Sequence, residues 1–140
     1  MKNLILVIAA SAFISLSVSA QKNVPVPVKT AFSQKFVKAS DVKWGKEGKT
    51  AWEAEFKLDG KSYSANFDTK GFWLETEYSI TTSEIPAAVK TTINKEYALY
   101  KIKGTDVSET PKGKVYEVTF LKGVKSMELV FDLNGKIVKE

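Results

Sequence analysis

The chain has 140 residues, with 21 basic and 16 acidic side chains and a formal charge of +5. Every basic residue is lysine, and histidine, arginine and cysteine are absent. This excludes Ser-His-Asp and Cys-His catalysis, imidazole and thiolate metal sites, disulfides, and the arginine fork that grips phosphate and guanine; carboxylate or lysine chemistry, oxygen-bound hard cations, or binding without chemistry remain.

Residues 1–20 read as a secretory signal peptide. Lys2 supplies the positive start, Leu4 to Leu16 an apolar run, and Val18-Ser19-Ala20 a small-x-small cleavage site, which predicts a mature chain from Gln21. The run is short for the ~20 residues of a membrane span, and it ends in a cleavage motif instead of a charged stop-transfer flank. With no cysteine after it, a lipoprotein anchor is excluded. The expected location is periplasmic or secreted, with no stable membrane insertion after cleavage. The mature chain would carry 20 lysines against 16 acids, scattered along the sequence, which reads as a solvated surface and not as a nucleic-acid interface.

A helix is expected first, opened by Pro25 and Pro27 and carrying Val28, Ala31, Phe32, Phe36 and Ala39 at i, i+3, i+4 spacing. A short strand around Val42-Lys43-Trp44 follows, then a turn over Gly45 to Gly48. Ala51 to Leu58 alternates, with Trp52, Ala54, Phe56 and Leu58 on one face and Glu53, Glu55 and Lys57 on the other. Asp59-Gly60 is a two-residue hairpin signal. Ser62 to Phe67 alternates again, and Asp68 to Gly71 turns into a strand from Phe72 to Ile80. Ser83 marks a cap region before a second helix carrying Ala88/Val89, Thr92/Ile93, Tyr97 and Tyr100. Strands are then expected over Gly104 to Thr110, Lys114 to Leu121, Ser126 to Phe131 and Lys136 to Lys139. The short loops force antiparallel pairing.

The two halves resemble each other. Val24-Pro25, Val28-Lys29-Thr30, Phe32 and Phe36 match Ile85-Pro86, Val89-Lys90-Thr91, Ile93 and Tyr97 at an offset of 61. Trp52-Glu53 and Phe56 match Tyr116-Glu117 and Phe120, and Phe67-Asp68 with Gly71 matches Phe131-Asp132 with Gly135, at an offset of 64. The predicted fold class is therefore α+β: two tandem repeats, about 24–80 and 84–140, each a helix plus a four-stranded antiparallel meander. One domain, 21–140, contains both.

The Val-Pro-x-x-Val-Lys helix start, the Trp-Glu-Ala-Glu-Phe strand and the Phe-Asp-x-x-Gly turn before an aromatic strand resemble the secreted PepSY-like proteins with a β-lactamase-inhibitor-like (BLIP-like) fold. These motifs are core positions and turns. The resemblance implies that the two units together form a curved sheet with the helices packed on one face. The resemblance implies a non-catalytic protein that binds or inhibits another protein, since proteins of this shape are associated with such roles and no catalytic set belongs to the family.

With a helix on the aromatic face of each meander, the other face stays open. It is expected to present Glu53 and Glu55 in the first half and Glu117 and Glu128 in the second. On the fourth strand, Phe72, Leu74 and Tyr78 are expected to face the core, and Trp73, Glu75 and Glu77 to face out; a one-residue bulge would exchange these sets. Trp73 amid glutamates is then a candidate anchor for a protein or peptide partner. An ordinary solvated sheet face explains the same pattern. The Asp68 and Asp132 turns lack the spaced carboxylates of a calcium loop and read as turn chemistry. Glu53 and Glu55 lack the shielded pocket of a glycosidase pair. The expectation is a binding module, not an enzyme, with no cofactor and no metal. The alternative is an envelope carrier of a cation or small cationic ligand.

Overall fold

The computed structural model describes residues 23–138. The expected leader, residues 1–20, lies outside them. The element order is α1 (Val26–Lys35), β1 (Ser40–Glu47), β2 (Ala51–Leu58), β3 (Lys61–Asp68), β4 (Trp73–Ser79), a 3-10 turn (Thr82–Glu84), α2 (Ala87–Glu96), β5 (Lys101–Thr110), β6 (Gly113–Lys122), β7 (Lys125–Phe131) and β8 (Ile137–Val138). The protein is α+β, with an eight-stranded antiparallel sheet in sequence order. Two compact units partition it: residues 23–78 with Glu109–Gly113, and Ser79–Ser108 with 114–138.

The first unit forms around Phe32. Its ring meets those of Trp44 and Phe56, each edge-on at 5.1 Å, and Phe67 at 6.3 Å. Val28, Trp52, Ala54 and Ala65 complete this buried cluster. The alternation of β2 directs Trp52, Ala54 and Phe56 to the helix, as its sequence requires. In the second unit, Val89 and Ile93 of α2 pack on Val118, Phe120, Leu129 and Phe131. Both helices end earlier than their apolar spacing suggests. Phe36 and Tyr97 are the C-terminal caps of α1 and α2, yet both still pack on the cores beyond the last helical turn.

Two strands extend more than one residue beyond the expected ranges. β1 runs through Gly45, read from sequence as a turn, because Gly45 pairs with Glu53; a strand glycine weakens the local signal without breaking the ladder. β5 starts at Lys101, three residues before Gly104, where the strand was expected to begin. The Asp59-Gly60 turn is as expected: both residues have positive φ, 49° and 81°, and Leu58 pairs with Lys61. The cap before α2 is built on Thr81, whose N–H donates to Glu84 Oε2 at 2.8 Å, with Ser83 inside the turn.

Each unit repeats one local device. Asp68 Oδ1 accepts the N–H groups of Lys70 and Phe72, both at 2.9 Å, and Asp132 Oδ1 those of Asn134 and Lys136, both at 2.9 Å. The glycine inside each turn has positive φ, 89° at Gly71 and 78° at Gly135. A Cβ on Gly71 would lie 2.6 Å from the Pro27 carbonyl oxygen in the first turn of α1; one on Gly135 would strike the Ala88 carbonyl of α2. By contrast, Gly60 has φ +81° with nothing within 4 Å of its Cβ position. Gly71→Ala should therefore cost about 2–4 kcal/mol, and Gly60→Ala about 1 kcal/mol from backbone conformation alone. Equilibrium urea unfolding of the two variants measures both, and equal costs would refute the contact with α1.

Candidate functional site

The register of the first unit decides which carboxylates come together. Gly45, Glu53, Asn66 and Glu75 form one row across β1 to β4, and Lys43, Glu55, Ser64 and Glu77 form the next. Ala54, Ala65 and Thr76, in the row between, point the other way, where Ala54, Ala65 and Thr76 are buried. Glu53, Glu55, Glu75 and Glu77 thus share the face opposite α1, as expected, and Glu47 joins them two residues beyond Gly45. Lys57, paired with Asp41 at 3.2 Å, lies at the margin.

Trp73 does not belong to this face. Asn66 pairs with Glu75 but the next residue, Phe67, pairs with Trp73, so Leu74 is the extra residue of a β-bulge. The bulge reverses alternation at one point. Glu75 and Glu77 stay outward and Tyr78 inward, its ring 5.0 Å from that of Tyr63, while Trp73 turns to the helix side and packs against the core around Phe32. There Lys35 of α1 places its Nζ 3.7 Å from the ring centroid, and the indole N–H is shared between the Glu75 carbonyl at 2.8 Å and Thr76 Oγ1 at 2.9 Å. Phe72 and Leu74, expected in the core, are 68% and 41% exposed instead. Trp73 is a structural residue, not an exposed anchor.

Glu117 and Glu128 are in the second unit. Glu117 pairs with Val130 and Thr119 with Glu128, all on the face opposite α2, as the alternation requires. Glu117 is nevertheless buried, at 8% exposure, beside a buried Val130. Thr119 Oγ1 donates to Glu128 Oε2 at 3.3 Å. Sequence alternation assigns a residue to a face but carries no signal for how much its neighbours cover it.

Among the described residues, no group of three Asp or Glu side chains is placed to hold a metal ion. The carboxylates are spread along rows. Their crowding still has a consequence at Glu53. Partial burial first, then the like charges of Glu47 and Glu55, hold its carboxyl above the ordinary glutamate value of 4.5. Asn66, its cross-strand neighbour, keeps a buried Oδ1 without a hydrogen-bond partner.

The family model described as "Putative beta-lactamase-inhibitor-like, PepSY-like" matches residues 50–139. The chain belongs to this PepSY-like family. The PepSY-like fold is shared with solved structures of low identity. A BLIP-like protein from Bacteroides fragilis NCTC 9343 is 24% identical, with a TM-score of 0.73 over 81% of this chain and 82% of that one. A DUF2874 family protein from Bacteroides uniformis ATCC 8492 is 21% identical, with a TM-score of 0.76 over 82% and 86%. A protein from Bacteroides eggerthii DSM 20697, described as a putative periplasmic protein, is 18% identical, with a TM-score of 0.76 over 82% and 86%. No curated protein matches the chain.

Two outcomes follow for this PepSY-like site. A raised carboxyl pKa means that the folded state binds the Glu53 proton more tightly than the unfolded chain does. Stability from this group is complete below pH 4.5 and is lost as pH rises through the folded value. Glu53→Gln should remove that loss, making the variant at least as stable as the parent at pH 7 and flattening the pH profile between about pH 4.5 and 7; thermal melts across this range test it, and an unchanged profile refutes it. Trp73→Ala should cost about 2 kcal/mol of stability through lost packing and the lost Lys35 contact, measurable by denaturant unfolding, where a silent substitution would return Trp73 to the surface.

Proposed function

We propose that this protein is a non-catalytic binding module of the cell envelope, acting on a protein or peptide through the carboxylate-bearing face of its first unit. The observation that carries this reading is the pair of rows holding Glu53 and Glu75, and Glu55 and Glu77, on one side of a sheet whose other side is filled by α1. On that face Glu47, Glu53, Glu55, Glu75 and Glu77 outnumber Lys43 and Lys57 in a chain that is basic in sum, which favours a partner presenting lysine or arginine side chains. An envelope location is supported by the leader read in residues 1–20 and by the description of the Bacteroides eggerthii neighbour as a periplasmic protein. The offsets of 61 and 64, with the same Asp-x-x-Gly turn in each unit, support two copies of one ancestral unit.

The alternative is a carrier of a small cationic ligand. The like-charge field at Glu53 favours it. Spread along rows, the carboxylates suit an organic cation better than a bare metal ion.

The two readings separate in one calorimetric series. Lysine-rich, acidic and apolar peptides of equal length are titrated beside spermidine as a small cation. The peptide reading expects binding of the lysine-rich peptide alone, weakened when salt rises from about 20 to about 500 mM. Glu55→Lys with Glu77→Lys should lower that affinity by roughly tenfold or more while leaving the melting temperature near the parent's. Binding of spermidine but of no peptide would transfer the function to the carrier reading, and binding indifferent to both substitutions would remove this face from the function.

A further inference from the structure

Asn134 is the asparagine of this sequence that precedes a glycine; Asn3, Asn23, Asn66 and Asn94 precede leucine, valine, phenylalanine and lysine. An asparagine loses its side-chain amide when the next backbone nitrogen closes on the side-chain carbonyl. Glycine, with no Cβ, obstructs that approach least. The first unit has lysine at the matching place, Lys70 before Gly71, so the two turns share a shape but not this chemistry.

The fold places the two reacting groups under opposite conditions. Asn134 is exposed and Gly135 is buried. The Gly135 N–H donates to the Asp132 carbonyl at 3.0 Å, and the Gly135 carbonyl accepts the Thr92 hydroxyl at 2.8 Å. On either side, the N–H groups of Asn134 and Lys136 are both held by Asp132 Oδ1. A Cβ on Gly135 would come within 2.9 Å of Thr92 Oγ1, so α2 leaves little room for this peptide to swing. Ring closure needs the Gly135 nitrogen to break its hydrogen bond, lose its proton and turn toward the Asn134 side chain. With the turn seated on α2, those movements are blocked.

We propose that Asn134 is a gated modification site: its amide is lost only while the Asp132 turn is lifted off α2, and the product prevents the turn from seating again. In the lifted state the Gly135 nitrogen gives its proton to water and bonds to Asn134 Cγ. The Cγ–Nδ2 bond breaks, ammonia leaves, and a cyclic succinimide remains. Water then adds to either ring carbonyl. Cleavage of the new Cγ–N bond leaves aspartate; cleavage of the original peptide C–N bond leaves isoaspartate, whose backbone is longer by a methylene. That methylene falls between the N–H groups of Asn134 and Lys136, which Asp132 Oδ1 must reach together. The chemistry is slower than the opening of a loop, so its rate is that of the free sequence multiplied by the fraction of molecules open. The mark thus records how often α2 loses its tie to the turn. The inference is independent of the carboxylate-face reading, because it lies wholly within the second unit.

Peptide mapping by mass spectrometry, after incubation of the whole protein at mildly alkaline pH, tests it. The folded protein should lose the Asn134 amide roughly tenfold or more slowly than a free peptide of residues 130–136. That slowing should match the hydrogen-exchange protection of the Gly135 N–H within about threefold, since one opening exposes both. Thr92→Val should speed the loss roughly fivefold by removing the bond to the Gly135 carbonyl, and Thr92→Ser should return it to the parent's rate. Trp73→Ala, which weakens the first unit, should leave the rate unchanged. The isolated isoaspartate form should melt below the parent, and Asn134→Asp close to it. Circular dichroism establishes that the variants fold; if Thr92→Val does not, the exchange comparison decides without it. Loss as fast as in the peptide overturns the proposal, and so does a slowing unrelated to the Gly135 protection. Equal acceleration by Trp73→Ala would put the gate in global unfolding, and an isoaspartate form as stable as the parent would remove the lock; either result overturns it too.

Discussion

The position of each helix depends on a turn of five residues. In Asp68 to Phe72 and again in Asp132 to Lys136, one carboxylate oxygen accepts two backbone N–H groups and holds the chain in a tight loop. The glycine within the loop then approaches the first turn of the helix so closely that no side chain fits between them. Hydrogen bonding fixes the loop and contact distance fixes the helix above it. With the start of α1 held at Gly71, Val28 and Phe32 face the sheet, and Phe32 reaches Trp44, Phe56 and Phe67 together. In the second unit Thr92 adds a hydrogen bond to the Gly135 carbonyl at 2.8 Å, a second tie between helix and loop.

This arrangement makes the two sides of the first unit chemically opposite. One side holds the rings of Trp44, Phe56 and Phe67 gathered around Phe32 of the helix; the other carries glutamates in rows. A half-buried carboxylate that is also crowded by like charges is an unfavourable arrangement, and Glu53 expresses it in a pKa raised first by burial and then by Glu47 and Glu55. The aromatic core on the far side is what allows the sheet to hold such a face, since burial of that core dominates the balance.

Much of this was legible in the sequence, for identifiable reasons. The alternation in Ala51 to Leu58 is unbroken, and β2 lies where it was expected with its faces correctly assigned. Asp59-Gly60 named its own turn, since both residues tolerate positive φ. Glu53, Glu55, Glu75 and Glu77 fell on one face as read. Trp73 did not, because a bulge depends on how two strands meet, and β4 alone contains no sign of it. The helix ends were overextended because Phe36 and Tyr97 are apolar at helical spacing yet pack from the residue just after the helix. Gly45 hid strand within what looked like turn. The depth at which Glu117 lies is set by neighbours distant in sequence, and no local pattern encodes it.

The bulge at Leu74 separates two kinds of constraint within a single strand. Before it, Trp73 answers to the turn and to α1; after it, Glu75 and Glu77 answer to the register with β3. A regular strand would couple them, so that any residue gained or lost near the turn would invert every side chain downstream. With the slack absorbed at one position, the supporting side and the displayed side of β4 can drift independently over evolutionary time. A chain lacking Leu74 would regain regular alternation with Trp73 still on the helix side and Glu75 and Glu77 still outward.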